Sequence, residues 1–449
     1  MFNTNIALSK KDIYLRWFKW SPSIWIALFS ILPIILSQLS QRLFPVVDNH
    51  YLSTLGTQAL LIHNIQYSLI CLGQYIGSAT ATSCLVFWKR QEYAGKQKSI
   101  FLAHILFCLT SVFLCSIIAS YYTKPILTHF SVHQSYFHLA KIYFHIGLFN
   151  MILQAIYFAL SGMLIATGQE KLGLILAFIL LGLNILGDSI ATHFLFSGVM
   201  TPSHVFPAML TIGLSVSGFL IFINCIMVYY ILLRADYWGI PNIKEIFKIW
   251  RNELLGALMS GIYPIIYTFQ LAMVKSSSSL LISYQLVLQF SSLICIPLMA
   301  VMQIALRDAA AEQPYTFSTS APLWWSKLLY LGLLPTQILL ILSMIFPDFS
   351  MKLVFGYTTP PDHQAFILLF LLATMIGQIG NALTVPIRAR KDSHLVTTSY
   401  FIADVIFMLG GMQFIIFINH ATPATTGLIT LLYVTAYVLI NSYFLLRKK

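Results

Sequence analysis

The sequence predicts an all-α polytopic membrane protein, with about twelve transmembrane helices in two six-helix bundles. Three observations predict it. First, 58% of the 449 residues are hydrophobic and 9% are charged, with a mean hydropathy of +0.80. Soluble domains carry roughly 25% charged residues, so water cannot cover this chain. Second, charges and turn signals cut the chain into about twelve apolar runs, each near the ~20 residues that cross a bilayer. Third, the basic residues concentrate on one side of that alternation. A soluble enzyme, a secreted disulfide scaffold, a disordered protein and a nucleic-acid binder are excluded. The net charge of +12 sits in short loops, where it sets topology and meets anionic headgroups.

The elements follow in order. Residues 1–21 form an N-terminal cytoplasmic and interfacial segment with no apparent cleavable signal. Within it, 8–20 reads as amphipathic, with Lys10, Lys11, Arg16 and Lys19 toward headgroups and Trp17, Trp20 and Trp25 at the aromatic belt. Spans are expected near 22–46, 54–88, 98–122, 137–167, 171–197 and 205–233. The second set lies near 247–274, 279–306, 323–346, 363–388, 393–419 and 424–446. The stretch 234–251 is a cytoplasmic connecting loop between a first bundle (22–233) and a second (252–446), and 447–449 is a basic tail. Six helices, a long connection and six more is the layout of transporters whose substrate path runs between two repeats. The halves echo each other weakly. LIATGQEK (164–171) and IRARKDSH (387–394) each close the fourth helix of their half.

Twelve spans put both termini on one side. Of the 26 Lys and Arg, all but Arg42, Lys124, Lys141, Lys275 and Lys352 fall on that side. Such a bias places both termini in the cytoplasm. The six cysteines lie inside apolar runs without metal-ligand spacing and read as small buried hydrophobes.

A carboxylate in the bilayer core is costly unless it is paired, hydrated or protonated. Three of the 14 acidic residues fall in that position: Asp48, Asp188 and Asp404. Pro45 could end helix 1 just before Asp48 or kink a longer helix that contains it, and pattern alone leaves both open. Asp188 shares a helix face with Asn184 and Thr192 at i, i+4 spacing. A carboxylate, an amide oxygen and a hydroxyl are hard donors suited to Na⁺ or to a proton. Polar interhelical glue is the competing reading. Asp404 has no polar partner one turn away, so it pairs across helices or lies near the cytoplasmic end. Gln38, Gln41, Gln66, Gln74, Tyr143, Asn150 and Gln154 are the other polar candidates of the first bundle. His129 and His133 have an i, i+4 spacing, but Pro125 and the loop around them argue against a zinc site. No Walker A run or nucleophile cluster is present, so the chain is not expected to be an enzyme, and no cofactor is implied.

These features resemble the multidrug and toxic compound extrusion (MATE) family. Pro33, Gln41 and Asp48 are similar to its first-helix Pro, Gln, Asp pattern. LSTLGTQAL (52–60), CLGQYIGSATATSCLVFWKRQEYAGK (71–96), AKIYF (140–144), LIATGQEK and NILGD (184–188) resemble later family stretches in order, over most of 22–235. The resemblance implies two lobes around a V-shaped cavity and H⁺- or Na⁺-driven antiport that exports small amphipathic, cationic compounds. It implies a cation or proton site at Asp48, Asn184 and Asp188, with Thr211 a weaker addition and Na⁺ a possible ligand. Gln41, Tyr143, Gln154, Gln270, Gln378 and Asp404 are expected along the substrate cavity, and Pro33 and Pro45 as hinges in helix 1. The cavity is expected to be net negative and aromatic, suiting a lipophilic cation. The expected location is the bacterial inner membrane, in contact with lipid, with no nucleic acid and no obligate protein partner. The chain departs from the family pattern in three places. Helices 7 and 10 offer Gln270 and Gln378 instead of carboxylates, Arg42 lies within helix 1, and RARK (388–391) replaces a Gly-rich turn. The alternatives are a flippase for a lipid-linked precursor, which would need several cavity Arg or Lys, and a non-transporting membrane protein.

Overall fold

The computed structural model describes residues 22–53, 57–88, 93–129, 132, 134–191, 202–235, 238–271, 277–311, 323–355, 361–418 and 421–447. The interfacial segment 8–20, His133, Thr192 and the last two residues lie outside these. The helices are α1 Pro22–Ser53, α2 Thr57–Trp88, α3 Gln97–Tyr121, α4 Phe137–Ala166, α5 Glu170–Ser189, α6 Pro202–Arg234 and α7 Ile243–Leu271. They continue as α8 Ser277–Ile294, α9 Ile296–Ala311, α10 Trp324–Ile345, α11 Gln364–Ala389, α12 Ser393–Phe417 and α13 Pro423–Arg447. Among the described residues, nine helices are long and apolar enough to cross a membrane, and α8 with α9 makes a tenth span bent by 50°. Helices α1 and α7, of 32 and 29 residues, also have the length. The protein is thus an all-α integral membrane protein.

Three boundaries differ from the sequence expectation, each for a local reason. Helix α1 runs on to Ser53, past the expected end near 46. Pro45 therefore lies inside it, and the Gln41 carbonyl loses its usual N–H partner there. The eighth span breaks at Cys295, because Pro297 has no N–H to give to the Leu293 carbonyl. The expected loop 234–251 is largely helical, since α7 begins at Ile243. Ile246, Ile249 and Trp250 recur at helical spacing and are buried, while Lys244, Lys248 and Arg251 stay exposed.

Helices α2 and α4 pack closely, and glycines permit it. Gly73 and Gly77 stand four apart on α2, facing the Met151 and Ala155 carbonyls of α4. Gly147 of α4 faces Gln66, and Gly162 faces Ala81. Close backbone approach through small residues is how helices associate where lipid is as apolar as leucine. Helix α1 packs on α5, α6 on α4, and α11 on α13, while α7 and α9 both reach α2. Trp250 Nε1 of α7 donates to Thr80 Oγ1 of α2 at 3.1 Å.

The faint echo between 164–171 and 387–394 becomes a shared backbone motif. After α4, Gln169 N donates to Leu164 O and Gly168 N to Ile165 O. After α11, Asp392 N donates to Ile387 O and Lys391 N to Arg388 O. Both are Schellman caps, with a left-handed residue at the corresponding place: Gly168 at φ 76° and Lys391 at φ 65°. A lysine is disfavoured there by about 1–2 kcal/mol. Its ammonium ion-pairs with Glu245 and lies over the Phe87 and Tyr93 rings, which offsets that cost and accounts for the departure at RARK.

Candidate functional site

The cluster begins on α1. Because the helix continues past Pro45, Asp48 points into the first half of the chain rather than into a loop. Asn184 Nδ2 on α5 donates to Asp48 Oδ1 at 2.6 Å and lies 3.5 Å from Asp188 Oδ2. Asn184 and Asp188 are wholly buried, one turn apart on a single face of α5. Asn184 thus stands between the carboxyls of Asp48 and Asp188. Two carboxylates this close, in a medium that cannot screen them, repel each other unless a proton or a cation lies between them.

Helix α2 adds a group that the sequence analysis passed over. His63 Nε2 lies 3.9 Å from Asp48 Oδ2, and its Nδ1 is 3.2 Å from the Tyr143 hydroxyl of α4. Tyr143 is anchored in turn, since Gln66 Nε2 donates to its carbonyl. A row of polar groups results, Tyr143, His63, Asp48, Asn184 and Asp188, with a gap of 3.9 Å between His63 and Asp48. The signal for His63 was present, because an ionisable side chain within a span is a site candidate by default.

Beside the pair lies a cavity of about 30 Å³, lined by Gln41, Asp48, Tyr67, Gln74, Asn150 and Gln154 among others. It has room for about two waters, so in this conformation it admits protons and water rather than a drug-sized compound. Gln41 Nε2 donates to the Tyr157 hydroxyl at 3.2 Å, and Asn150 Nδ2 to Gly213 O at 3.1 Å.

The other expected residues are spread out. The Thr211 hydroxyl donates to Pro207 O one turn back at 2.8 Å, so it serves its own helix and stands outside the hydrogen-bonded cluster. Gln270 and Gln378 are buried in the second half, where Gln270 Nε2 donates to Leu409 O and Gln378 Oε1 accepts from Asn381. Asp404 is buried in a stretch of wide, π-helical turns, Ile402–Leu409, with Tyr433 of α13 against it. Neither of its carboxyl oxygens has a hydrogen-bond partner among the described residues. Pro33 is buried within α1. Among the described residues, no three of His, Cys, Asp and Glu are grouped so as to hold a metal ion.

A second cavity, of about 70 Å³, lies between α1, α2, α4, α5, α8 and α9. Gln38 Nε2 crosses it to Gln303 Oε1 at 3.2 Å. At one end Arg307 of α9 donates to Glu170 of α5 at 2.8 Å and to Ile165 O of α4 at 2.9 Å, while Lys327 pairs with Asp308 at 3.1 Å. Near the same end, Glu253 of α7 pairs with Arg388 at 3.1 Å and accepts from Ser393.

Residues 33–190, which hold the whole Asp48, His63, Tyr143, Asn184, Asp188 row, match the MatE family model. That match spans about a third of the chain, so it is this segment that resembles the family. A comparison with curated proteins gives no match. Among solved structures, the fold is similar to a MOP superfamily transporter from Pyrococcus furiosus, with TM-score 0.71 and 12% identity over 96% of this chain and 100% of that one. It is also similar to a variant of the Vibrio cholerae MATE transporter VcmN, with TM-score 0.72 and 15% identity over 95% and 98%. A third is an outward-facing multidrug resistance MATE family transporter, at 0.70 and 13% over 96% and 97%. At such identities the likeness is one of fold.

Proposed function

We propose that the protein is a proton-coupled antiporter that exports small amphipathic compounds by alternating access. The observation that carries this reading is the buried row from Tyr143 through His63, Asp48 and Asn184 to Asp188. Two carboxyls with an imidazole beside them form a site that binds and releases a proton. Na⁺ fits this donor set less well, because Asn184 turns its NH₂ rather than its oxygen toward both carboxylates.

Twelve spans in two six-helix bundles, 22–233 and 252–446, with 234–251 as a cytoplasmic tether, complete the reading. The matching caps after α4 and α11 support a repeat, and the bias of basic residues supports cytoplasmic termini in a bacterial plasma membrane. Protonation can drive the cycle only if the proton binds one state more tightly than the other. Helix α1 is where that difference arises. It carries Asp48 three residues after Pro45, whose missing N–H makes that turn easier to bend. Pro33, at the other end of the cavity-lining stretch, is the second hinge.

The test is flux in proteoliposomes of the full chain under a pH gradient alone and under a Na⁺ gradient alone. The pH gradient is expected to drive uptake of a fluorescent amphipathic compound, and the Na⁺ gradient to leave it near the empty-vesicle rate. Equal rates under both gradients would remove the proton assignment. Indifference to either would remove coupled transport.

Rocking must also open the Arg307 clamp. Charged hydrogen bonds of this kind contribute about 1.5–3 kcal/mol each, so Arg307→Gln is expected to shift the open-to-closed ratio at that end about tenfold or more. Spin labels at the exposed positions Lys171 and His394 would report this as growth of a longer distance population. An unchanged distribution would show that the clamp does not hold the closed state.

A further inference from the structure

We infer that the cavity between the halves binds an amphipathic compound through an anionic group, a carboxylate or a phosphate, with Arg42 as its charged partner. This deepens the transport reading and rests on it for the route, though not for the binding itself. It also reverses the sign of charge that the sequence analysis expected of the cargo.

The argument starts from cost. A guanidinium within a membrane-spanning helix is expensive unless a carboxylate, carbonyls or water satisfy it. Arg42 stands midway along α1, half-buried, on the wall of the 70 Å³ cavity. Among the described residues it has no ion pair. Its neighbours on that wall are neutral and polar: Gln38, Gln41, Ser78, Ser292 and Gln303. The carboxylate on the wall is Glu170, and Arg307 takes it at 2.8 Å. The remaining formal charge of the lining is therefore that of Arg42, and it is positive. A cationic compound would meet repulsion there, in surroundings that screen it poorly. An anion would meet a planar donor fork suited to carboxylate or phosphate, with amides and hydroxyls beside it.

Asp48 does not cancel this charge. Six residues along a helix is about 9 Å of rise and a rotation of about 240°, so Arg42 and Asp48 look into different cavities. Gln41 lines both. Less than two turns of α1 thus separate a carboxyl cavity from a guanidinium cavity, and any bend of α1 at Pro45 moves one against the other. The second half is consistent with this. At the two positions where a carboxylate would favour a cation, it carries Gln270 and Gln378. The present volume suits an anionic head group and a few waters, so the apolar remainder of the cargo needs the more open state.

The test uses the full chain in detergent, without a gradient, so it stands whether or not transport is proton-driven. Two fluorescent probes of matched length are titrated, a dansylated carboxylate and a dansylated amine. The carboxylate is expected to bind about tenfold tighter or more, the worth of one charge-assisted contact. Arg42→Gln should remove that preference, Arg42→Lys should keep part of it, and Lys124→Gln, at an exposed lysine away from the cavity, should leave it intact. Melting temperatures of the variants separate lost binding from lost folding. Displacement by phosphatidic acid micelles but not by a water-soluble amphipathic carboxylate would identify a lipid as the source of the anion, and the reverse would identify a soluble compound. Equal binding of both probes, or a preference that survives in folded Arg42→Gln, would overturn the assignment. If the carboxylate binds as expected and no gradient drives its flux, the coupling proposal fails and the site stands.

Discussion

Replacing Asp188 with Asn is expected to reduce gradient-driven flux to the level of empty vesicles while the protein still folds and inserts. The substitution keeps the shape of the side chain and its place on α5 one turn from Asn184, so packing is preserved. What it removes is the ability to gain and lose a proton. Driving a two-state equilibrium from about 1:99 to 99:1 takes roughly 5.5 kcal/mol of differential binding, and an amide that binds no proton supplies none. Asp48→Asn should have the same effect, and the double variant should be no worse than either single one, because groups acting as a unit are not additive. His63→Gln should slow flux without abolishing it, since His63 stands 3.9 Å from Asp48, beyond direct hydrogen-bonding distance. Dye flux in proteoliposomes and a melting curve on the same preparation check this. Full flux from folded Asp188→Asn would move the coupling elsewhere, with the buried Asp404 the next position to replace.

The largest effect on stability is expected at Gly77. A Cβ there would stand 2.3 Å from the Ala155 carbonyl oxygen, and one at Gly73 2.3 Å from that of Met151. Backbone cannot rotate away as a side-chain tip can, so even alanine must push α2 and α4 apart. Overpacking of this kind costs about 1–3 kcal/mol, occasionally more. Gly77→Ala is expected to lower the melting temperature in detergent measurably, and Gly77→Leu to prevent accumulation of folded protein. The functional site would fail with the fold, because α2 brings His63 and Gln66 to Tyr143 of α4 across this same contact. By contrast, Gly182→Ala on α5 should be silent, since a Cβ there meets nothing within 4 Å. A normal melting curve for Gly77→Leu would mean that α2 and α4 do not approach as described.

Much of the candidate site was legible in the residues. Asp48 and Asp188 stood out because burying a carboxylate in lipid is expensive wherever it occurs, and Asn184 joined Asp188 through helical spacing alone. The same rule, applied to imidazole, would have found His63. Arg42 was visible as an oddity, but its meaning was not. Whether a guanidinium in a span is paired depends on which carboxylates face it, and here Glu170 turns to Arg307 instead. Lys391 was equally opaque. A lysine in a left-handed position looks like a misfit until Glu245, 146 residues earlier in the chain, is found on its ammonium.

The sequence by itself determined which runs are long and apolar enough to cross a membrane, and which side chains could not sit idle there. Those are properties of one segment against its solvent: each run of about 20 residues partitions on its own composition, and each buried charge carries its own cost. Only the tertiary structure decided that α1 continues through Pro45, that Asp48 meets Asn184 across 136 residues, and that Arg42 faces a different cavity from Asp48. These depend on how each helix is rotated about its axis and how closely its neighbours approach. That is set by small residues such as Gly73 and Gly77 acting between helices, and hydropathy, read along one strand of sequence, carries no record of it.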